Sequence, residues 1–148
     1  MGKRLLLAGL LLLGSAPASA DCIEAAARSF GVHGDILRAI AIVESRARPA
    51  AVNVNANGSV DRGLYQINSV HLAELAAAGI VADDLHDVCL SSHIAALLLK
   101  RKVAAFGNTW AAVGAFHSTL PEKRDRYARK VQEVFERVQQ LKRTLEAR

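Results

Sequence analysis

The sequence predicts a mainly α-helical protein of the α+β class, with one small polar β-ribbon or loop inserted among the helices. Three observations lead to this prediction. Apolar residues recur at helical spacing along most of the 148-residue chain. Glycine and proline interrupt these segments at intervals typical of helix lengths. One stretch, residues 52–60, instead alternates valine with small polar residues, as a short strand or loop does.

The N-terminus has the features of an export signal. Lys3 and Arg4 precede a leucine-rich apolar stretch, and Ala18-Ser19-Ala20 supplies small residues at a cleavage site. The apolar stretch is too short to span a bilayer. We therefore expect residues 1–20 to be a cleaved signal peptide and residues 21–148 to be one exported domain without a stable membrane anchor.

The first two helices are bounded by glycine and capping residues. An alanine-rich helix covers residues 22–30 and ends at Gly31. Asp35 is expected to cap the second helix, which runs to about Arg46. This second helix lies directly before the polar insertion, so a cleft can form between them.

The remaining helices follow the insertion. Ser69 is expected to cap a helix through Ala78, and a long buried helix is expected over residues 89–106. Asn108 or Thr109 can cap the helix after it. A basic amphipathic helix over about 122–147 ends the chain. Its predicted apolar stripe comprises Tyr127, Val131, Val134, Phe135, Val138, Leu141 and Leu145.

The chain has a formal net charge of +5, and residues 122–148 carry nine basic and five acidic side chains. Such a tail is usually the solvated face of an amphipathic helix, although it could also contact an anionic surface or a partner. Nucleic-acid binding is not expected, because aromatic residues are not interleaved with the basic ones. The five histidines show no metal-binding spacing, so no metal or other cofactor is expected.

Cys22 and Cys89 are the two cysteines of the chain. An even count after an export signal favours a disulfide between them. The alternative is a pair of separate buried thiols.

Glu44 is the first candidate catalytic residue. Ile36, Ile40 and Glu44 are four residues apart and therefore share one face of the second helix. A carboxyl group on an apolar face tends to hold its proton near neutral pH, as a general acid must. The alternative is an exposed glutamate at a fraying helix end.

The segment Gly63-Leu64-Tyr65-Gln66-Ile67-Asn68-Ser69 is the second candidate site. Gly63 permits close approach of the backbone, and the side-chain amides of Gln66 and Asn68 can both donate and accept hydrogen bonds. Sugar hydroxyl and acetamido groups need such partners. The alternative is a turn whose amides bind the local backbone.

Four blocks resemble the soluble lytic transglycosylase domain of the lysozyme superfamily. They are Glu44-Ser45, Gly63–Ser69, Trp110–Ser118 and Tyr127–Val131, in the family's order and covering about residues 22–131. Three features, the His117-Ser118 pair, the nearby Pro121 and Tyr127, resemble the specialised branch of this family that accompanies type III secretion, type IV secretion and conjugation machinery. The resemblance implies a lysozyme-like α+β fold, with the β-ribbon or loop insertion beside the active-site cleft.

The resemblance also implies the chemistry. The substrate would be the glycan strands of peptidoglycan, and Glu44 would act first as acid and then as base, leaving a 1,6-anhydromuramyl end. The protein would be a periplasmic monomer that opens the wall locally, with components of an envelope-spanning machine as partners. Ser45 would help to hold Glu44. The residues assigned to substrate binding are Ser45, Tyr65, Gln66, Asn68, Phe116, His117 and Tyr127.

Two features depart from the family pattern. Phe116-His117 replaces a Tyr-Asn pair, which removes one hydroxyl and introduces a group that titrates near pH 6.5. Asp61 resembles the second carboxylate of chicken-type lysozymes, so a hydrolase that uses Glu44 and Asp61 is an alternative. Asp61 could instead pair with Arg62 or cap a turn. A non-catalytic glycan-binding or assembly protein is the alternative outside enzymes.

Overall fold

Six α-helices, two short 3-10 helices and a small antiparallel sheet form the part of the chain that the computed structural model describes, residues 18–148. The helices are α1 (Ala18–Phe30), α2 (Gly34–Ser45), α3 (Leu72–Ala76), α4 (Val88–Phe106), α5 (Trp110–His117) and α6 (Pro121–Glu146). The predicted signal peptide lies outside the described residues except for the backbone of residues 18–20. The mainly α-helical class with a small β insertion is confirmed.

The N-terminus of α2 differs from the prediction. His33 is the N-cap, and its Nδ1 accepts a hydrogen bond from the backbone N–H of Asp35 at 3.1 Å. Asp35 is buried in the first turn, where Arg38 donates to its carboxylate at 2.6 Å. Lys142, on α6, donates to the same carboxylate at 2.5 Å. The prediction that Asp35 caps the helix is wrong, because these two cations and the side chain of Gln139 hold its carboxylate instead.

The sheet consists of β1 (Val52–Val54), β2 (Val60–Arg62) and β3 (Ile67–Asn68), in the order β1-β2-β3. Its register pairs Asn53 with Asp61 and Asp61 with Asn68. Directly paired residues of an antiparallel sheet lie on the same face. One row of polar side chains therefore crosses all three strands.

The connection from β3 to α4 is less helical than expected. Asn68, rather than Ser69, accepts the capping hydrogen bond, from Val70 N at 3.0 Å. A 3-10 helix (Ser69–His71) and the single turn of α3 replace the predicted helix over residues 69–78. The sequence reading also missed a second 3-10 helix, Ala82–His86, whose Leu85 is fully buried.

A disulfide between Cys22 and Cys89 joins α1 to α4, as predicted. The two cysteines are 67 positions apart. The chain-entropy account gives a loop of this length a stabilisation of roughly 4 kcal/mol, although engineered disulfides often give less. The bond therefore ties the start of the described chain to the long helix at the centre of the fold.

Helices α5 and α6 complete the core. Thr109 caps α5, and its hydroxyl accepts from Ala112 N at 3.4 Å. Tyr127 and Val131 of α6 join one hydrophobic cluster with residues from α1, α2, α4 and the sheet region. The predicted apolar stripe of α6 is wrong at its outer end, because Leu141 and Leu145 do not pack against the core and are 60% and 61% exposed. No helix among residues 18–148 is long and apolar enough to cross a membrane.

Candidate functional site

Glu44 lies in the last turn of α2, and the residue after it fixes that end of the helix. Ser45 is buried, and its hydroxyl donates to Leu64 O at 2.7 Å. The same hydroxyl accepts from Arg48 N at 3.0 Å. These bonds attach the end of α2 to the segment before β3, which places Glu44 at a defined position beside the sheet. The structure thus gives Ser45 an interior, positioning place rather than a place on the cleft surface.

The terminal helix supplies the direct partner of Glu44. Helix α6 packs along α2, and Tyr127 is only 6% exposed. Its hydroxyl donates to Glu44 Oε1 at 2.5 Å. Burial, with the charge and hydrogen bond of Glu44, raises the pKa of Tyr127 well above its ordinary value. Tyr127 therefore remains a neutral donor throughout the physiological pH range.

The environment of Glu44 suits proton transfer near neutral pH. Burial raises the pKa of Glu44 from its ordinary value of 4.5 to about 7, mainly because a charged carboxylate loses solvation there. The hydrogen bond from Tyr127 lowers this pKa, and the negative charge of Asp61 raises it. Near pH 7, Glu44 can therefore both give up and recover a proton.

Asp61, the second carboxylate of the site, accepts hydrogen bonds from three asparagine amides. Asn68 Nδ2 donates to Asp61 Oδ1 at 2.6 Å, which follows from their pairing in the sheet. Asn55 and Asn53 donate to Asp61 Oδ2 at 2.9 and 3.3 Å. The three donors engage both oxygens of the Asp61 carboxylate and fix its orientation beside the cleft.

The segment between β2 and β3 turns sharply beneath the cleft. Gly63 has φ +79°, and a Cβ at this position would lie 1.9 Å from Leu85 O, so only glycine fits. Gln66 has φ +49°, a left-handed conformation uncommon outside glycine. Its Nε2 donates to Gly63 O at 3.0 Å and to Ala51 O at 3.2 Å. The amide nitrogen thus holds the turn together, as the turn interpretation of this motif predicted.

Tyr65 forms part of the cleft wall from an almost fully buried position. It is 1% exposed, and its hydroxyl accepts from Ser92 Oγ at 3.3 Å. Burial raises the pKa of Tyr65 to about 12. Its ring supports the cleft, and its hydroxyl is engaged inside the protein.

The opposite wall comes from the end of α5. Phe116 is half-buried and lines the cleft, and His117 follows it as the last residue of α5. The imidazole of His117 stacks on the ring of Tyr127, with 4.8 Å between ring centroids and 6° between planes. The two rings and the Glu44 carboxyl group thus form one continuous contact.

These elements enclose a cleft of about 860 Å³. Seven residues predicted as catalytic or substrate-binding line it: Glu44, Asp61, Tyr65, Gln66, Asn68, Phe116 and His117. Tyr127 reaches it through Glu44, and Ser45 lies behind it. The sequence reading missed Asn55, His71, Lys102 and Lys123, which also line the cleft. Only Asn55 carried a usable signal, since it alternates with valines in the predicted ribbon.

No group of three or more histidine, cysteine, aspartate or glutamate side chains within residues 18–148 is arranged to hold a metal ion. The cleft contains one carboxyl group, that of Glu44, with a pKa of about 7, surrounded by side-chain amides that can form hydrogen bonds.

Several known proteins are similar to this chain in sequence. The family described as transglycosylase SLT domain matches residues 21–136. The chain is 37% identical over 135 residues to invasion protein IagB of Salmonella typhi, covering 88% of this chain and 84% of that protein. It is 38% identical over 120 residues to protein IpgF of Shigella flexneri, covering 80% and 79%. It is also 34% identical over 119 residues to X polypeptide of Escherichia coli, covering 80% and 70%.

The matched residues include Glu44, the turn at Gly63–Asn68, the end of α5 and Tyr127, which are the parts that build the cleft. The match therefore spans both the fold and the candidate site. The chain belongs to the transglycosylase SLT domain family.

Proposed function

We propose that this protein is a peptidoglycan lytic transglycosylase in which Glu44 is the single acid and base. The observation that carries the proposal is the environment of Glu44, whose buried carboxyl group has its pKa raised to about 7 and accepts a hydrogen bond from Tyr127. General acid–base catalysis is most effective when the pKa of the group lies near the working pH.

In the proposed reaction, protonated Glu44 gives its proton to the oxygen that links N-acetylmuramic acid to N-acetylglucosamine. The C1–O bond breaks, the N-acetylglucosamine leaves with that proton, and C1 of the muramyl sugar becomes oxocarbenium-like. The Glu44 carboxylate then takes the proton of the muramyl C6 hydroxyl, whose oxygen bonds to C1. The product is a 1,6-anhydromuramyl end, Glu44 regains its proton, and water is not consumed.

Asp61 is not the nucleophile in this proposal. The three asparagine amides that bind its two oxygens stabilise the carboxylate where it is. Its role is electrostatic, because its charge raises the pKa of Glu44 and so favours the acid form that begins the reaction. Gln66, Asn68, Phe116 and His117 would contact the sugars from the two walls.

We further propose that residues 21–148 act as an exported periplasmic domain that opens the wall locally for an envelope-spanning secretion or conjugation machine. The disulfide supports export, because such bonds persist in oxidising compartments. The similarity to a protein named invasion protein supports a role beside such a machine.

The test compares Glu44→Gln with wild type on purified sacculi, with Glu133→Gln, an exposed carboxylate of α6, as the matched control. We expect Glu44→Gln to lower the rate by about 10²–10⁴-fold, the usual contribution of an acid–base group, and the control to match wild type. Mass spectrometry of the wild-type products should show anhydromuramyl ends. Reducing ends would support the hydrolase, and an inactive wild type would support the non-catalytic alternative.

A further inference from the structure

His117 is held against the cleft in a fixed orientation. Its imidazole lies parallel to the Tyr127 ring at 4.8 Å, and Tyr127 is itself fixed by its hydrogen bond to Glu44. Neither ring nitrogen of His117 has a hydrogen-bond partner within residues 18–148, although the residue lines the cleft. The stack therefore leaves both nitrogens at the ring edge available to a ligand.

The protonation state decides what these nitrogens can do. A neutral imidazole offers one donor and one acceptor, as an asparagine amide does, whereas a protonated imidazole offers two donors. An acetamido N–H or a sugar hydroxyl proton needs the acceptor. Protonation of His117 would therefore remove one hydrogen bond to the glycan and place a cation in its path.

The charged and titratable groups around His117 favour the neutral ring at neutral pH. Burial lowers the pKa of His117, and Lys123 and Lys130 of α6 lower it further. Asp61, across the cleft on β2, raises it. Tyr127 beneath the ring stays neutral, and Glu44 beyond it is the group that titrates near pH 7.

We propose that His117 is a specificity-determining residue that binds an N-acetylated sugar only through its neutral imidazole, so that glycan binding weakens as the ring takes up a proton. This inference builds on the proposed function, and it adds an acidic limit to activity. A single Glu44 acid predicts a rate that falls only as pH rises through about 7. With His117 included, kcat/KM also falls on the acidic side, which gives a bell-shaped profile.

The experiment measures binding rather than turnover, so that it remains informative if the proposed reaction is wrong. Calorimetry in the Glu44→Gln background, where the main neutral titration of the cleft is absent, follows tetra-N-acetylchitotetraose at pH 7.5 and pH 5. This probe carries no charge, so any pH dependence belongs to the protein. We expect weaker affinity at pH 5 than at pH 7.5, approaching the roughly fivefold change that the loss of one hydrogen bond represents as the ring becomes protonated.

Two additional variants separate a titrating contact from a structural one. Glu44→Gln/His117→Asn keeps a donor and an acceptor and should bind equally at both pH values. Glu44→Gln/His117→Phe keeps a stacked ring and should bind weakly at both. His93→Asn in the same background, at a half-buried site on α4 outside the cleft lining, should retain the pH dependence.

Three results would overturn the inference: equal affinity of the parent at the two pH values, a persistent pH effect in the His117→Asn variant, or full affinity in the His117→Phe variant. Loss of binding by a folded His117→Asn variant at pH 7.5 would also overturn it, as would failure of the parent to bind the probe at that pH. Failure of the proposed function looks different, because it is an absence of anhydromuramyl products from wild-type enzyme.

Discussion

Tyr127 Oη lies 2.5 Å from Glu44 Oε1, although the two residues are 83 positions apart in the sequence. The bond joins the last turn of α2 to the second turn of α6. The hydrogen bond from Tyr127 stabilises the ionised carboxylate of Glu44 and therefore lowers its pKa. Burial destabilises the same ionised form and raises the pKa. The height of the Glu44 pKa is therefore set jointly by both helices.

Tyr127→Phe should raise the pKa of Glu44 further, because it removes the donor and leaves the burial. A hydrogen bond to a charged group contributes about 1.5–3 kcal/mol, which corresponds to a rise of roughly one pKa unit or more. We expect the alkaline limb of the kcat/KM profile to move upward by that amount. Tyr65→Phe removes another buried hydroxyl, bonded to Ser92, and should leave that limb in place. If the alkaline limb of the Tyr127→Phe variant lay at the same pH as that of wild type, the hydrogen bond from Tyr127 would not be lowering the pKa of Glu44.

Glu44→Gln should stabilise the fold at neutral and alkaline pH. The pKa of Glu44 rises from 4.5 to about 7 on folding, so the folded state holds the proton more tightly. The stability linked to that proton is fully present below pH 4.5 and is lost as pH rises through about 7. At pH 8 the variant should exceed wild type by about 3 kcal/mol, to order of magnitude, and near pH 4 the two should converge.

Urea unfolding at a series of pH values measures this difference. The variant's advantage should grow between pH 4.5 and 7 and then remain constant. An advantage that shrank with rising pH would show that Glu44 is not the group with the raised pKa.

Features set by residues that are neighbours in the sequence could be predicted, whereas features set by contacts between residues far apart in the sequence could not. The helix ends at Gly31 and Gly107 are local, because a backbone with positive φ favours glycine, and the predicted helices ended at residues 30 and 106. The capping role of Asp35 was mispredicted because its carboxylate binds Lys142, 107 positions away. Local rules rank aspartate as a strong N-cap and contain no information about a distant cation.

The same limit applies to the site. Motif order predicted that Glu44, Asp61 and Tyr127 would lie near one cleft. It did not predict the hydrogen bond between Tyr127 and Glu44, or the stack of His117 on Tyr127, because both depend on how α6 packs. The asparagine cluster around Asp61 is an intermediate case, since it follows from a strand register that the valine alternation suggested but could not fix.

Asp61→Asn should keep the reaction and lose stability. The new amide can still accept from one neighbour, but its NH₂ group would face donors that Asp61 Oδ2 now accepts from. A buried or half-buried donor left unpaired costs about 1–3 kcal/mol. We expect a lower melting temperature, a lower pKa of Glu44 and products that still carry anhydromuramyl ends. A folded variant as inactive as Glu44→Gln would restore the two-carboxylate hydrolase.

Lys142→Met should destabilise the fold at neutral pH, although Lys142 lies in the outer part of α6, where Leu141 and Leu145 are exposed. Burial raises the pKa of Asp35, but hydrogen bonds and charges from Lys142 and Arg38 hold it below its ordinary value. Asp35 is 5% exposed, whereas Lys142 is 43% exposed, so solvent screens much of the interaction. With Arg38 still in place, we expect a loss of about 1 kcal/mol.

The sign of the pH effect identifies the cause. Because the pKa of Asp35 is lowered in the folded state, its carboxylate stabilises the fold at pH values above the ordinary pKa of aspartate. This stabilisation is lost as pH falls through the pKa that Asp35 has in the folded protein. In thermal unfolding, the melting temperature of Lys142→Met should therefore be lower than that of wild type at pH 7, and the two melting temperatures should converge in strong acid. The control Lys100→Met removes an exposed lysine of α4 and should leave the melting temperature unchanged at both pH values. A difference that persisted in acid would point to lost packing by the lysine stem.

The contact of Gly63 with Leu85 O has a consequence for redesign of this protein. Any side chain at position 63 would collide with that carbonyl, and the positive φ adds a second penalty. The floor of the cleft is therefore closed to variation at its tightest point. Libraries that seek altered glycan preference should leave Gly63 constant and diversify the opposite wall at Phe116 and the exposed positions after it. We expect changes of glycan preference in this scaffold to come from that wall rather than from the floor.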